Sequence, residues 1–264
     1  MPQRLILTII AMLLLSPFAV AQRGGRGGPE VPDPRPIPRN ADGRVLLGSE
    51  SPEVKGLWTG RIGLGTPIAP ADEIPFQPWS RALFDERQLH ELEPHARCKP
   101  SSVTRPFQTP YGTEIVEIPD LQRMYIFDVG GPHTWRTIYM DGRTHPQDLE
   151  PSYLGHSIGW WDGDTLLIET VGFNEGTWLD RRGIPYTEGL RTLERLTRTA
   201  YNIIDYEVTV DDPNVYTAPW TGGFPIRWGD GPELFEYVCQ QGNQASNLMV
   251  GEYEQIDRTT TIIP

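Results

Sequence analysis

Alternation of apolar and polar positions organises the second half of the chain. Glu114 to Ile118 alternates, Arg123 to Val129 is rich in β-formers, and Thr134 to Met140 runs into Asp141-Gly142. Ser157 to Trp161 enters Asp162-Gly163 and leaves as Thr165 to Val171. Asp-Gly between such runs signals a tight hairpin, because both central residues of the turn need positive φ. Arg191 to Thr199 and Ile203 to Val210 read as a further hairpin around Tyr201-Asn202, and Leu234 to Gln240 as a late strand. Between Pro78 and Pro94, the spacing of Trp79, Leu83 and Leu92 among charged residues predicts a short helix that Pro94 stops. Short strands with turns at this spacing, and no long crossover helices, predict an all-β fold. We expect an antiparallel barrel or strongly curved sandwich, lipocalin-like, behind one short N-terminal helix.

The first residues follow a different pattern. Arg4, the apolar run Leu5 to Leu15 and Ala19-Val20-Ala21 before Gln22 read as a signal peptide spanning residues 1–21. The run is shorter than the ~20 residues that span a bilayer, so export to the periplasm or beyond is expected, without membrane insertion after cleavage. Residues 22–55 are rich in Gly and Pro and read as a flexible tether, leaving residues 56–264 as a single β domain. In an oxidising compartment, the only two cysteines, Cys98 and Cys239, are expected to form one long-range disulfide.

Charge narrows the function classes. The net charge of -12 disfavours nucleic acid and anionic membranes as partners, since both are bound chiefly through basic patches. The only lysines are Lys55 and Lys99, outside the dense aromatic stretch, which disfavours Schiff-base chemistry. The expected partner is a small molecule.

Residues 125–180 hold three of the five histidines and four of the eight tryptophans. His133, His145 and His156 recur at intervals of 12 and 11 residues, a spacing at which successive strand ends of a meander meet at one mouth. One imidazole then serves as general base near neutral pH. Three together would hold zinc, but no HxH or HExxH spacing supports a metal, and no cofactor is expected. Period 2 sets Arg136, Ile138 and Met140 on one face of their strand and Trp135, Thr137 and Tyr139 on the other. An inward Arg136 needs a carboxylate, from Glu169, Asp180, Glu194, Glu207 or Glu236. Gly155-His156-Ser157-Ile158-Gly159 matches the nucleophile elbow of serine hydrolases, but Ser157 runs into a strand and hairpin, without the helix that the elbow requires. Asp211-Asp212-Pro213 reads as turn chemistry.

The ordered series Arg136-x-Ile-Tyr-Met-Asp-Gly-Arg143-x-His-Pro146, Ser157-Ile-Gly-x-Trp161-x-Gly-Asp-Thr-Leu166, Trp178-Leu-Asp180, Glu194-Arg195, Asp211-Asp-Pro213, Pro219-Trp220 and Glu236-Tyr-x-Cys239 resembles a large family of uncharacterised exported bacterial proteins. The resemblance covers roughly Pro75 to Asn243. It implies a single β-rich domain and brings no activity or catalytic residues.

The sequence therefore leads to an exported enzyme with acid-base chemistry, of lyase, isomerase or hydrolase type, acting on a small hydroxylated or ring-containing compound in a barrel pocket. His133, His145, His156, Asp180 and Glu194 are the expected catalytic groups, with Arg136, Tyr139, Trp160 and Trp178 binding the ligand. The alternatives are a non-catalytic periplasmic carrier or sensor of a small apolar ligand, and an interaction module of an exported complex.

Overall fold

The structure, a computed structural model, describes residues 31–60, 67–236 and 238–239. Nine strands close one barrel in chain order. They are β1 (Gly56–Thr59), β2 (Thr113–Ile118), β3 (Arg123–Asp128), β4 (Trp135–Tyr139), β5 (His156–Asp162), β6 (Thr165–Val171), β7 (Arg191–Ala200), β8 (Ile203–Asp211) and β9 (Trp220–Asp230). The predicted helix is α1 (Pro78–His90). The expected signal peptide lies outside the described residues. Among the described residues no helix is long and apolar enough to cross a membrane.

An odd number of strands cannot alternate direction all the way round a closed barrel. The mismatch is absorbed between β4 and β5, which pair in parallel, while the other neighbours, including β1 with β9, are antiparallel. A parallel neighbour needs a return path, because its strand must start from the same end. Residues 140–155 supply that path, so Asp141-Gly142 opens a long connection instead of a hairpin. Asp162-Gly163 does form the expected tight turn between β5 and β6.

Inward positions of the strands build the core. Trp58, Met124, Ile138, Leu166, Ile168 and Ile226 are each nearly or fully buried and belong to one continuous apolar cluster. Burying such side chains stabilises by ~1.5–3 kcal/mol each. The Pro94–Thr109 segment plugs one end of the barrel: Phe107 is fully buried with its ring 5.0 Å from that of Tyr206.

Two boundaries differ from expectation. The packed body includes residues that were assigned to the tether: Val45 and Leu47 are buried in the core, and the Arg39 and Val45 backbones pair. The apolar run Val45-Leu46-Leu47 is the physical reason, since it offers enough surface to repay ordering. The late strand is β9, upstream of the Leu234 expectation, and among the described residues no strand follows Asp230. Gly222, Gly223 and Pro225 hide β9 from any propensity argument. The glycines are needed there because a Cβ on Gly222 would strike the Ile68 carbonyl and one on Gly223 that of Tyr206.

Cys98 and Cys239 form the expected disulfide, which closes a loop of 141 residues. Cys98 ends the 3₁₀ turn Pro94–Arg97, so the bridge ties the segment after β9 to the plug.

Candidate functional site

The expected site residues fall into three neighbourhoods. Inside the barrel, Arg136 on β4 meets Glu194 on β7: Nη1 donates to Oε1 at 3.0 Å and Nη2 to Oε2. Nε donates to Ser157 Oγ at 2.9 Å, and Nη2 also to Thr170 Oγ1 at 2.6 Å. The Tyr206 hydroxyl donates to Glu194 Oε1 at 3.0 Å, and burial beside that carboxylate pushes its pKa well up. All three guanidinium nitrogens and both carboxylate oxygens are engaged, as a charge pair sealed in an apolar core requires. The pair is satisfied by partners within the barrel. Ser157 Oγ is engaged by Arg136 Nε and Thr170 Oγ1 within strand β5, where a nucleophile elbow would need a turn into a helix.

On the outer wall, His145 and His156 share a hydrogen bond between their Nδ1 atoms at 2.8 Å. The Tyr139 ring stacks on His156 with centroids 5.0 Å apart, and the Arg143 guanidinium lies 3.9 Å from the Tyr139 centroid. Trp160 stands exposed further along β5. Both imidazole pKa values are lowered, first by burial, then for His156 by His145 and Arg143 and for His145 by Arg191, with Glu169 opposing. His145 sits on the return path and His156 begins β5, so the bond staples that path to the barrel.

A lowered histidine pKa contributes stability above the ordinary range near 6.5, which is lost as pH falls. Charging both rings would set two donors face to face. Hydrogen exchange in residues 141–155, corrected for intrinsic rates, is therefore expected to accelerate between pH 7.5 and 5 in the wild type. The His145→Ala variant should already exchange fast at pH 7.5. A wild-type path with no pH response would remove the staple.

The third neighbourhood is the plugged mouth. His133, with φ of 52°, sits on the β3–β4 turn and meets Phe235 edge-on at 6.2 Å. It lies ~20 Å of strand away from Tyr139, so the three sequence-singled histidines do not converge. Asp180 is buried and held by Arg182, whose N donates to Oδ1 at 2.9 Å and whose Nε donates to Oδ2 at 2.8 Å. Burial nevertheless raises its pKa, against the pull of Arg182.

Next to Asp180 lies a set of groups that the sequence reading missed. Glu93, His95, Ser101, Arg105 and Asp128 are each at most 4% exposed. Arg105 Nε donates to Glu93 Oε1 at 2.6 Å and Nη2 to Oε2 at 3.2 Å. Its Nη1 is buried with no hydrogen-bond partner. Ser101 Oγ lies 3.0 Å from His95 Nδ1. The Gly130 N–H donates to Asp128 Oδ1 at 2.9 Å, while Oδ2 makes no hydrogen bond. Glu93, His95, Ser101, Ser102, Arg105, Thr177 and Trp178 line a cavity with room for about one water molecule.

The charges here are displaced from their ordinary values by burial. Asp128 is pushed up to about 6, against the opposing pull of the Gly130 N–H, Ser101 and Arg105. His95 is pushed down to about 3 by burial, with Arg105 repelling its charged form. A carboxyl near 6 is matched to taking and returning a proton at neutral pH, and His95 stays neutral there. Local structure explains the arrangement. Period 2 on β3 points Asp128 inward behind Met124 and Ile126, and Gly131 (φ 60°) lets His95 approach, since a Cβ there would sit 2.6 Å from His95 Cε1.

The one available sequence signal was a carboxylate on the apolar face of β3. His95, Ser101 and Arg105 come from an irregular segment and carry no periodicity. Among the described residues no group of three or more His, Cys, Asp or Glu side chains is placed to hold a metal ion. No family model, no curated protein and no solved structure matches this chain.

Proposed function

We propose that the protein is an exported enzyme performing acid-base chemistry on a small hydroxylated or ring-containing compound at the plugged mouth of its barrel. The observation that carries this reading is the small cavity walled by His95, Ser101 and Arg105, with the inward carboxyl of Asp128 beside it. Buried polar groups are nearly always partnered, and departures concentrate where ligands or protons are handled. Asp128 moves the proton, Arg105 Nη1 meets the developing negative charge, and Trp178 forms the apolar wall. The plug shifts to admit substrate, because these groups are sealed from solvent at rest. A carrier of apolar ligands would need an apolar cavity, whereas Trp58, Ile126, Ile168 and Phe224 pack into one continuous core.

Turnover of a panel of small esters, lactones and hydroxy acids, followed by proton NMR, tests the reading. At least one compound is expected to turn over in the wild type, and Asp128→Asn is expected to slow it ~100-fold or more with Tm retained. No turnover on the panel, or equal turnover by the variant, would overturn it.

A further inference from the structure

Resting on that reading, we infer that Ser101 is a nucleophile and that the substrates of the plugged mouth are esters of short acyl groups. Three observations converge on one spot. The Ser101 hydroxyl is within hydrogen-bond reach of His95 Nδ1, at 3.0 Å. Asp128 Oδ2 is buried with no hydrogen-bond partner, on a carboxylate whose charged form Ser101 favours. Arg105 Nη1, buried and without a partner, belongs to the wall of the same cavity. Nucleophile, proton acceptor and anion-stabilising donor are the three parts that acyl transfer requires around one small space.

The roles follow from the donors available. His95 carries its proton on Nδ1 and donates it to Ser101 Oγ, which leaves the serine O–H directed at Asp128. Ser101 Oγ attacks the ester carbonyl carbon while its proton passes to Asp128. The carbonyl oxygen becomes an oxyanion and accepts a hydrogen bond from Arg105 Nη1. The bond to the alcohol oxygen then breaks, and Asp128 returns the proton to that oxygen, so the alcohol leaves and an acyl-Ser101 ester remains. A water attacks the acyl carbon, again giving its proton to Asp128; the bond from that carbon to Oγ then breaks, Asp128 returns the proton to Oγ, and the acid leaves with the Ser101 hydroxyl restored. Ester and water become acid and alcohol, with no other reactant consumed. At rest the space beside Ser101 holds about one water, so the ester enters as the plug shifts, and the close walls of Thr177 and Trp178 favour a short acyl group.

Methanesulfonyl fluoride is a compact probe that enters as the plug shifts: sulfonylation forms the Oγ–S bond, breaks S–F and releases fluoride, while the serine proton passes to Asp128. Peptide mass mapping is expected to place the adduct on Ser101. The labelling rate should rise as pH passes through about 6, where Asp128 ionises. Asp128→Asn should slow labelling ~100-fold, while Ser49→Ala, at an exposed serine away from the mouth, should label like the wild type. His95→Gln, which keeps a donor, should slow it less than Asp128→Asn. An adduct elsewhere, or labelling of Ser101 that ignores Asp128→Asn, would overturn the nucleophile. Turnover separates this outcome from failure of the broader reading. If Ser101→Ala keeps wild-type turnover while Asp128→Asn loses it, acid-base chemistry at the mouth stands and covalent catalysis falls.

Discussion

Glu194→Gln is expected to destabilise the barrel by roughly 3–5 kcal/mol, the cost of leaving a buried charge without its partner. For a domain of this size that is a fall in Tm of roughly 6–20 °C. The cause is specific to the neighbourhood. Arg136 is 5% exposed, and its remaining partners, Ser157 and Thr170, are neutral hydroxyls that cannot balance a guanidinium. Tyr206 would lose part of its acceptor as well. The double variant Arg136→Met with Glu194→Leu removes both charges and fills the same volume with apolar atoms, so it should recover most of the loss. Thermal unfolding of the three proteins decides the matter. A Glu194→Gln variant that melts with the wild type would mean that the pair is not a sealed structural charge, and would return it to the list of ligand-orienting groups.

That pair also shows how far the sequence could be read. Period 2 on β4 placed Arg136 and Ile138 on one face, and the cost of burying an unpaired charge required a carboxylate. Glu194 was among five candidates, and only the register of β6 against β7 selects it. The strands β2 to β8, the tight turn at Asp162-Gly163 and the disulfide were legible for the same reason: each rests on local pattern or on a count. What was not legible depends on closure. Nothing local says that β4 and β5 run parallel, because this follows from nine strands having to close. His145 and His156 therefore meet on the wall, away from His133, although their spacing suited a common mouth.

The missed polar set at the mouth has a different origin. Asp128 stands on a regular strand and could have been flagged as a carboxylate on an apolar face. His95, Ser101 and Arg105 come from a proline-punctuated plug whose path is set by what it covers. Their meeting is a long-range property. The disulfide holds that plug in register through Cys98, next to the turn that carries His95, which links an expectation drawn from cysteine counting to the geometry of the site.

At the mouth, opposed titrations predict that two single variants will respond to acid in opposite directions. His95 has an ordinary pKa near 6.5 and is held at about 3 in the folded chain, so its contribution is lost as pH falls from 6.5 toward 3. Asp128 is raised from 3.8 to about 6, so folding gains from it as pH falls from 6 toward 3.8. Between about pH 6 and 4 the unfolded chain takes up a proton at the histidine while the folded chain holds one at the aspartate. The two slopes cancel. Each alone is worth roughly 3 kcal/mol over that window, at ~1.4 kcal/mol per pH unit. Asp128→Asn should therefore lose roughly 3 kcal/mol more than the wild type between pH 6 and 4, and His95→Gln should gain about as much relative to it. The double variant should again parallel the wild type. Arg105, which acts on both groups, and the Glu93 and Asp180 carboxylates around it are common to all four proteins, so their own titrations drop out of the comparison. Urea unfolding at pH 4, 5 and 6 measures the slopes. Parallel slopes for both single variants would show that neither group is perturbed, and would remove the electrostatic basis for proton transfer at the plugged mouth.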